Sequence, residues 1–97
     1  MNRLFAWLFP FDHVFKAEVE RCGGSHAQDI VARHLINHQP LLSTQEEITA
    51  LARQKAEQFY QSGSLWLLLK AHHIGTHQQV TETYISTFIQ TYKSAHP

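Results

Sequence analysis

Histidines are the residues whose type and spacing most directly suggest chemistry in this sequence. His34 and His38 are four residues apart, and His72, His73 and His77 form a second cluster further along the chain. Two imidazoles at positions i and i+4 lie on the same side of a helix and can hold one metal ion. If the two groups met in the fold, His34, His38, His73 and His77 would offer a site for zinc, copper or haem.

A structural role is the preferred interpretation of the same histidines. His34 and His38 lie in the last two turns of a predicted helix over 26–38, on an apolar side of that helix that includes Leu35. Histidine is favoured there because it can donate to the free carbonyl groups of the helix end. No Asp or Glu lies at ligand spacing with either group. We therefore predict no metal and no cofactor, and keep the four-histidine site as an alternative.

The charge balance excludes several classes of partner. Eight Lys and Arg balance eight Asp and Glu, whereas a nucleic-acid-binding domain normally carries a basic face. The chain also lacks the basic cluster that attracts proteins to anionic membranes. Eight histidines add positive charge on mild acidification, because imidazole titrates near pH 6.5. We expect stability or assembly to change between about pH 5 and pH 7.

An aromatic segment at the N-terminus is the main candidate for a partner interface. Trp and Phe bury large areas at low entropic cost, and exposed aromatic patches usually mark interfaces. The alternatives are that the segment completes the core or docks at a membrane surface. It is too short to cross a bilayer, and no cleavage site typical of a secretory signal follows it. Its predicted interface residues are Leu4, Phe5, Trp7, Leu8, Phe9 and Phe11.

Catalysis finds little support in the sequence. Cys22, the single cysteine, lies on an apolar stripe at a predicted helix end, where the helix dipole disfavours a thiolate, so it is predicted to be a core residue. No phosphate-binding loop, dinucleotide fingerprint or serine-nucleophile motif is present. A single cysteine also fits a reducing cytoplasm, which is the predicted location.

The elements that must position these residues are helices. Hydrophobic periodicity predicts helices over about 12–22, 26–38, 44–62 and 77–94, with a short apolar segment at 3–9. Capping boxes are predicted at Ser25 with Gln28, Ser43 with Glu46, and Thr76 with Gln79. Gly23 and Gly24 are predicted to end a helix. The segment 64–74 is apolar all round, which is typical of a buried helix.

The sequence therefore predicts an all-α fold, a small compact bundle of four to five short helices. The 97 residues form one predicted domain, with an aromatic segment at 1–11 and the bundle at 12–97. We expect a non-enzymatic interaction or regulatory protein that contacts a protein partner or itself, with a homodimer favoured. One alternative is a His-based metal- or haem-binding bundle. A second is a subunit of an enzyme whose site forms between chains.

Overall fold

The computed structural model describes residues 13–62 and 76–95, which form three helices. These are α1 (His13–Ile36), α2 (Gln45–Ser62) and α3 (His77–Ser94). The described residues contain no strand, so the all-helical class is confirmed. The predicted elements at 3–9 and 64–74 lie outside the described residues.

The described part of the chain has three helices where four to five were predicted for the whole. One cause is that the predicted helices over 12–22 and 26–38 are a single helix, α1, which continues through Gly23 and Gly24. Neither glycine has a positive φ, so neither forms the left-handed turn that ends a helix. The capping box predicted at Ser25 was therefore wrong, because Ser25 lies inside α1 with no free helix end to cap.

Gly23 serves as a packing residue instead. It is buried, and a Cβ added to it would lie 2.8 Å from the carbonyl oxygen of Tyr84 on α3. Real Cβ atoms do not approach a backbone oxygen that closely, so only glycine allows α1 and α3 to come this near. The same residue type that ends a helix can thus mark a close approach between two helices.

The N-terminal ends of α2 and α3 are capped by local side chains. At α3 the Thr76 hydroxyl accepts from the Gln79 N–H at 3.1 Å, and the Thr76 N–H donates to the Gln79 side-chain oxygen at 3.0 Å. This confirms the predicted box. At α2 the cap is Thr44, whose hydroxyl accepts from the Glu47 N–H at 3.2 Å. The capping box predicted at Ser43 with Glu46 was therefore wrong by one residue.

The C-terminal end of α1 is closed by a non-glycine residue in the left-handed conformation. His38 has φ 56°, and its N–H donates to the Leu35 carbonyl at 3.2 Å. The Gln39 N–H donates to the His34 carbonyl at 2.8 Å. This pair of bonds is a Schellman motif, which satisfies carbonyls left free at the helix end. The predicted helix over 26–38 therefore ends two residues early, at Ile36.

The core is organised around α3, which packs against both other helices. Its fully buried side chains recur every four residues and include three aromatic rings, which lie 6.1 and 6.2 Å apart from centroid to centroid along the helix. The facing stripes of α1 and α2 contain small residues, so large rings pack into shallow surfaces. The buried hydrophobic residues are Val19, Ala27, Val31, Ile48, Ala52, Ala56, Phe59, Val80, Tyr84, Phe88 and Tyr92.

Contacts between the helices fix their directions. At the beginning of α3, Nε2 of His77 is hydrogen-bonded to the carboxylate of Glu57 near the end of α2. At the other end, the N–H of Leu42, which precedes α2, donates to the Tyr92 hydroxyl at 2.9 Å. Helices α2 and α3 are therefore antiparallel. Helix α1 also reaches the end of α2, where the ring of His26 contacts Phe59 at a centroid distance of 6.2 Å.

Within 13–62 and 76–95, every helix is too short or too polar to span a bilayer.

Candidate functional site

The predicted histidine site is not assembled among the described residues. His38 is exposed and lies beyond the end of α1, so it does not share a helical face with His34 as predicted. His77 pairs with Glu57, its Nε2 lying 2.6 Å from the carboxylate. Residues 13–62 and 76–95 contain no group of three or more His, Cys, Asp or Glu placed to hold a metal. His73 lies outside the described residues.

His34 itself is half-buried on α1. Its Nδ1 atom is buried and has no hydrogen-bond partner within the described part of the chain. The predicted donation from this side chain to a free helix-end carbonyl is therefore not seen from Nδ1. The His34 carbonyl is instead bonded by the backbone of Gln39.

Cys22 is half-buried and packs against the core, although it is not itself a core residue as predicted. The predicted position at a helix end was wrong, because α1 continues to Ile36. Burial is the largest influence on its thiol and raises its pKa, while the neighbouring Arg21 guanidinium partly opposes the shift. A thiol with a raised pKa is mostly protonated at neutral pH and is a poor nucleophile. Cys22 is therefore not poised for covalent catalysis.

The predicted N-terminal interface lies outside the described residues, but a second apolar surface appears at the end of α1. Leu35 is 60% exposed and Ile36 is 75% exposed. We call these two residues the α1-end patch. The sequence placed Leu35 on the buried stripe of its helix, and this was wrong. Burial along α1 ends at Val31, one helical turn earlier.

A groove of about 300 Å³ opens between α1 and α2, with α3 beneath it. Helix α1 lines it with one face, because its residues are spaced by three and four positions. Helix α2 contributes a second set with the same kind of spacing. The lining of the groove includes His26, Asp29, Ile30 and Arg33 from α1, Lys55 and Phe59 from α2, and Tyr84 from α3.

A hydrogen bond joins α1 to α3 in this groove, between His26 Nδ1 and the Tyr84 hydroxyl. Desolvation by burial is the main cause that lowers the pKa of His26, so the neutral imidazole is favoured. Burial also raises the pKa of Tyr84, which keeps its hydroxyl protonated. The ring of Phe59 stacks on Tyr84 with the centroids 5.0 Å apart. The groove thus combines an aromatic wall with a fixed polar pair.

Charged side chains flank this aromatic wall. Arg33 forms an ion pair with Asp29 at 2.9 Å along α1. Lys55 is half-buried on α2, and within the described residues it forms no hydrogen bond or ion pair. Two cations and one carboxylate therefore line the groove, and the net charge of these three groups is positive.

The sequence does not predict this groove, because its residues come from three distant parts of the chain. His26 and Tyr84 are 58 positions apart. A weak signal was present in the spacing of His26, Asp29 and Arg33, which places three polar groups on one side of a helix. Nothing in the pattern identifies Lys55 as the residue that faces them.

Comparison with known proteins finds no relative. No protein-family model, no curated protein and no solved structure matches this chain.

Proposed function

We propose that this protein is a non-enzymatic interaction protein that associates with a second copy of itself. The observation that carries the proposal is the α1-end patch, in which two adjacent large aliphatic side chains stand mostly in water. Exposed apolar groups that lie side by side gain free energy when a partner covers them. The function is therefore binding, with assembly as its outcome.

A second copy is the partner that the composition favours. A two-fold interface brings the same surface of each subunit together, so it must be complementary to itself. Leu35 and Ile36 meet that requirement, because an aliphatic pair packs against an identical pair without needing an opposite charge. The formal net charge of zero at pH 7 also removes long-range repulsion between copies.

The patch requires additional interface area. A stable interface buries roughly 800 Å² on each partner, which is more than two side chains supply. The aromatic segment predicted from the sequence is our candidate for the rest, and Trp7 is its largest side chain. Trp is enriched among the residues that dominate binding energy at interfaces. The proposed interface thus combines the N-terminal aromatics with the α1-end patch.

Sedimentation equilibrium across a range of protein concentrations tests this proposal. The wild-type chain should show a dimer that dissociates on dilution. A Leu35→Ser, Ile36→Ser double variant should shift the dissociation to concentrations at least tenfold higher, because it removes apolar area from each copy. Ala50→Ser, at an exposed position on α2, is the matched control and should leave the curve unchanged.

The N-terminal contribution has its own test. Trp7→Ser should weaken the dimer to a similar or larger extent, with the helical circular dichroism signal retained. A monomeric wild-type chain at all concentrations would contradict the proposal. An unchanged dimer in the Leu35→Ser, Ile36→Ser variant would remove the α1-end patch from it.

The proposal includes a location in the cytoplasm. Its support is the single cysteine, which gives the chain no internal disulfide to maintain. The described residues offer no specific observation in favour of a metal or haem site, or of an enzyme site shared between chains.

A further inference from the structure

We propose that the groove between α1 and α2 is a binding site for a small monoanionic carboxylate with a flat apolar body. This proposal goes beyond self-association and does not depend on it. The groove is lined by different residues from those of the α1-end patch. The features of the groove that support a carboxylate ligand are its size, its apolar wall, and the charges and donors beside that wall.

The size of the groove limits the ligand. Its volume of about 300 Å³ is at the lower end of the range typical of small-molecule sites, about 300–1,000 Å³. The apolar wall consists of the half-buried Ile30 and of Phe59, which is only 7% exposed and is held in place by stacking on Tyr84. Such sites combine an apolar wall with a few polar groups that fix orientation. A single aromatic ring with one polar substituent is therefore the appropriate size.

The charges select the sign of the ligand. Lys55 on α2 has no ion-pair partner among the described residues, so its ammonium is available. Arg33 on α1 shares its guanidinium with Asp29, and several of its five N–H donors remain for another acceptor. A carboxylate between the two helices would accept charge-assisted hydrogen bonds from both sides.

The number of charges favours a monoanion. The groove carries the cations Lys55 and Arg33 and the Asp29 carboxylate, so a ligand with one negative charge brings the total charge of the occupied groove to zero. A phosphate dianion would exceed that balance and would also face the negative charge of Asp29. A carboxylate is therefore preferred over a phosphate.

His26 adds a neutral donor. The buried Tyr84 hydroxyl has His26 Nδ1 as its hydrogen-bond partner, and a buried hydroxyl needs an acceptor for its proton. Tyr84 therefore donates, Nδ1 accepts, and the neutral imidazole carries its proton on Nε2. The Nε2–H of His26 is therefore an uncharged donor in the groove, in addition to the charged donors of Lys55 and Arg33.

A titration followed by amide chemical shifts tests the site, with benzoate as the probe. Benzamide is the neutral control of the same shape, and phenyl phosphate is the dianionic control. We expect benzoate to shift amides of both α1 and α2 around the groove. It should bind at least tenfold more tightly than benzamide, since the charge-assisted bonds require the carboxylate.

Two variants assign the binding to the groove. Lys55→Gln and Arg33→Gln should each weaken benzoate binding about tenfold. If Lys55→Gln impairs folding, Arg33→Gln still tests the site, because the Arg33 side chain is largely exposed and its replacement should leave the fold intact. Arg53→Gln, on the same helix as Lys55 but outside the groove, is the matched control and should bind as the wild type does.

Three results would overturn the proposal. They are equal binding of benzamide and benzoate, tighter binding of phenyl phosphate than of benzoate, and unchanged benzoate binding in both groove variants. The Leu35→Ser, Ile36→Ser variant should bind benzoate normally. Loss of self-association would thus be distinguished from loss of the carboxylate site.

Discussion

Gly23 on α1 lies directly against the backbone of Tyr84 on α3, where an added Cβ would come within 2.8 Å of the Tyr84 carbonyl oxygen. Tyr84 is fully buried, and its hydroxyl bonds to His26 on the next turn of α1. The close approach at Gly23 and the polar contact at His26 thus join the same two helices. The floor of the groove depends on both.

Gly23→Ala should destabilise the protein. Its Cβ would meet a backbone atom, and overpacking of this kind costs about 1–3 kcal/mol. The better helix propensity of alanine returns about 1 kcal/mol, so we expect a net loss of up to about 2 kcal/mol. Urea unfolding followed by circular dichroism measures the change.

Gly24→Ala is the matched control for Gly23→Ala. A Cβ at Gly24 would lie 3.4 Å from the Thr91 hydroxyl oxygen, which is ordinary contact with a side chain. The higher helix propensity of alanine then determines the result, and the free energy of unfolding should increase by about 0.5–1 kcal/mol. If both substitutions stabilised the protein equally, Gly23 would not be the contact point between α1 and α3.

Acidification should reduce stability through His26. Desolvation lowers the pKa of His26 in the folded state, and the charges of Lys55 and Arg21 act in the same direction, while Asp29 opposes them. Tyr84 faces it from α3 with a protonated hydroxyl. A histidine with a lowered pKa contributes stability above its unfolded pKa of about 6.5, and this is lost as pH falls towards the folded pKa.

Unfolding in urea at pH 7.0, 6.0 and 5.0 measures this effect. The free energy of unfolding should fall over the series in the wild type and fall less in His26→Gln. His38→Gln, at an exposed histidine, is the control and should keep the wild-type slope. Identical slopes for wild type and His26→Gln would show that His26 is not the group responsible.

His38→Gly should stabilise the protein. His38 has φ 56°, in the left-handed region that favours glycine, where a side chain costs about 1–2 kcal/mol. Part of that gain is offset by the greater freedom of glycine in the unfolded chain, so an increase of about 0.5–1 kcal/mol is expected. His38→Ala retains the Cβ and should give no comparable increase in the midpoint of thermal unfolding. A stabilising alanine would contradict the account of the helix end.

Sequence patterns predicted the core better than the junctions between helices. Val80, Tyr84, Phe88 and Tyr92 recur at helical spacing, and all four are fully buried on α3. Hydrophobicity is a property of each residue type, so its periodicity predicts the buried face of a helix from local sequence. The boundaries of α3 and its capping box also follow from local chemistry, at Thr76 and Gln79.

The sequence-based predictions were wrong where a residue has two possible structural roles and a distant residue decides between them. Glycine both ends helices and permits close approach, and only the position of Tyr84 decides between these roles at Gly23. The end of α1 was misplaced because the left-handed residue is His38 instead of a glycine. The groove requires three helices to be in place, so Lys55 could not be identified as its cation.

Native mass spectrometry of the full chain, purified without chelator or affinity tag, tests the central claim of self-association most directly. The account predicts the mass of two chains with no adduct, converting to one chain in the Leu35→Ser, Ile36→Ser variant. A single chain carrying the additional mass of a metal ion or haem would contradict it, and His34, His38, His73 and His77 would then be the residues to replace first.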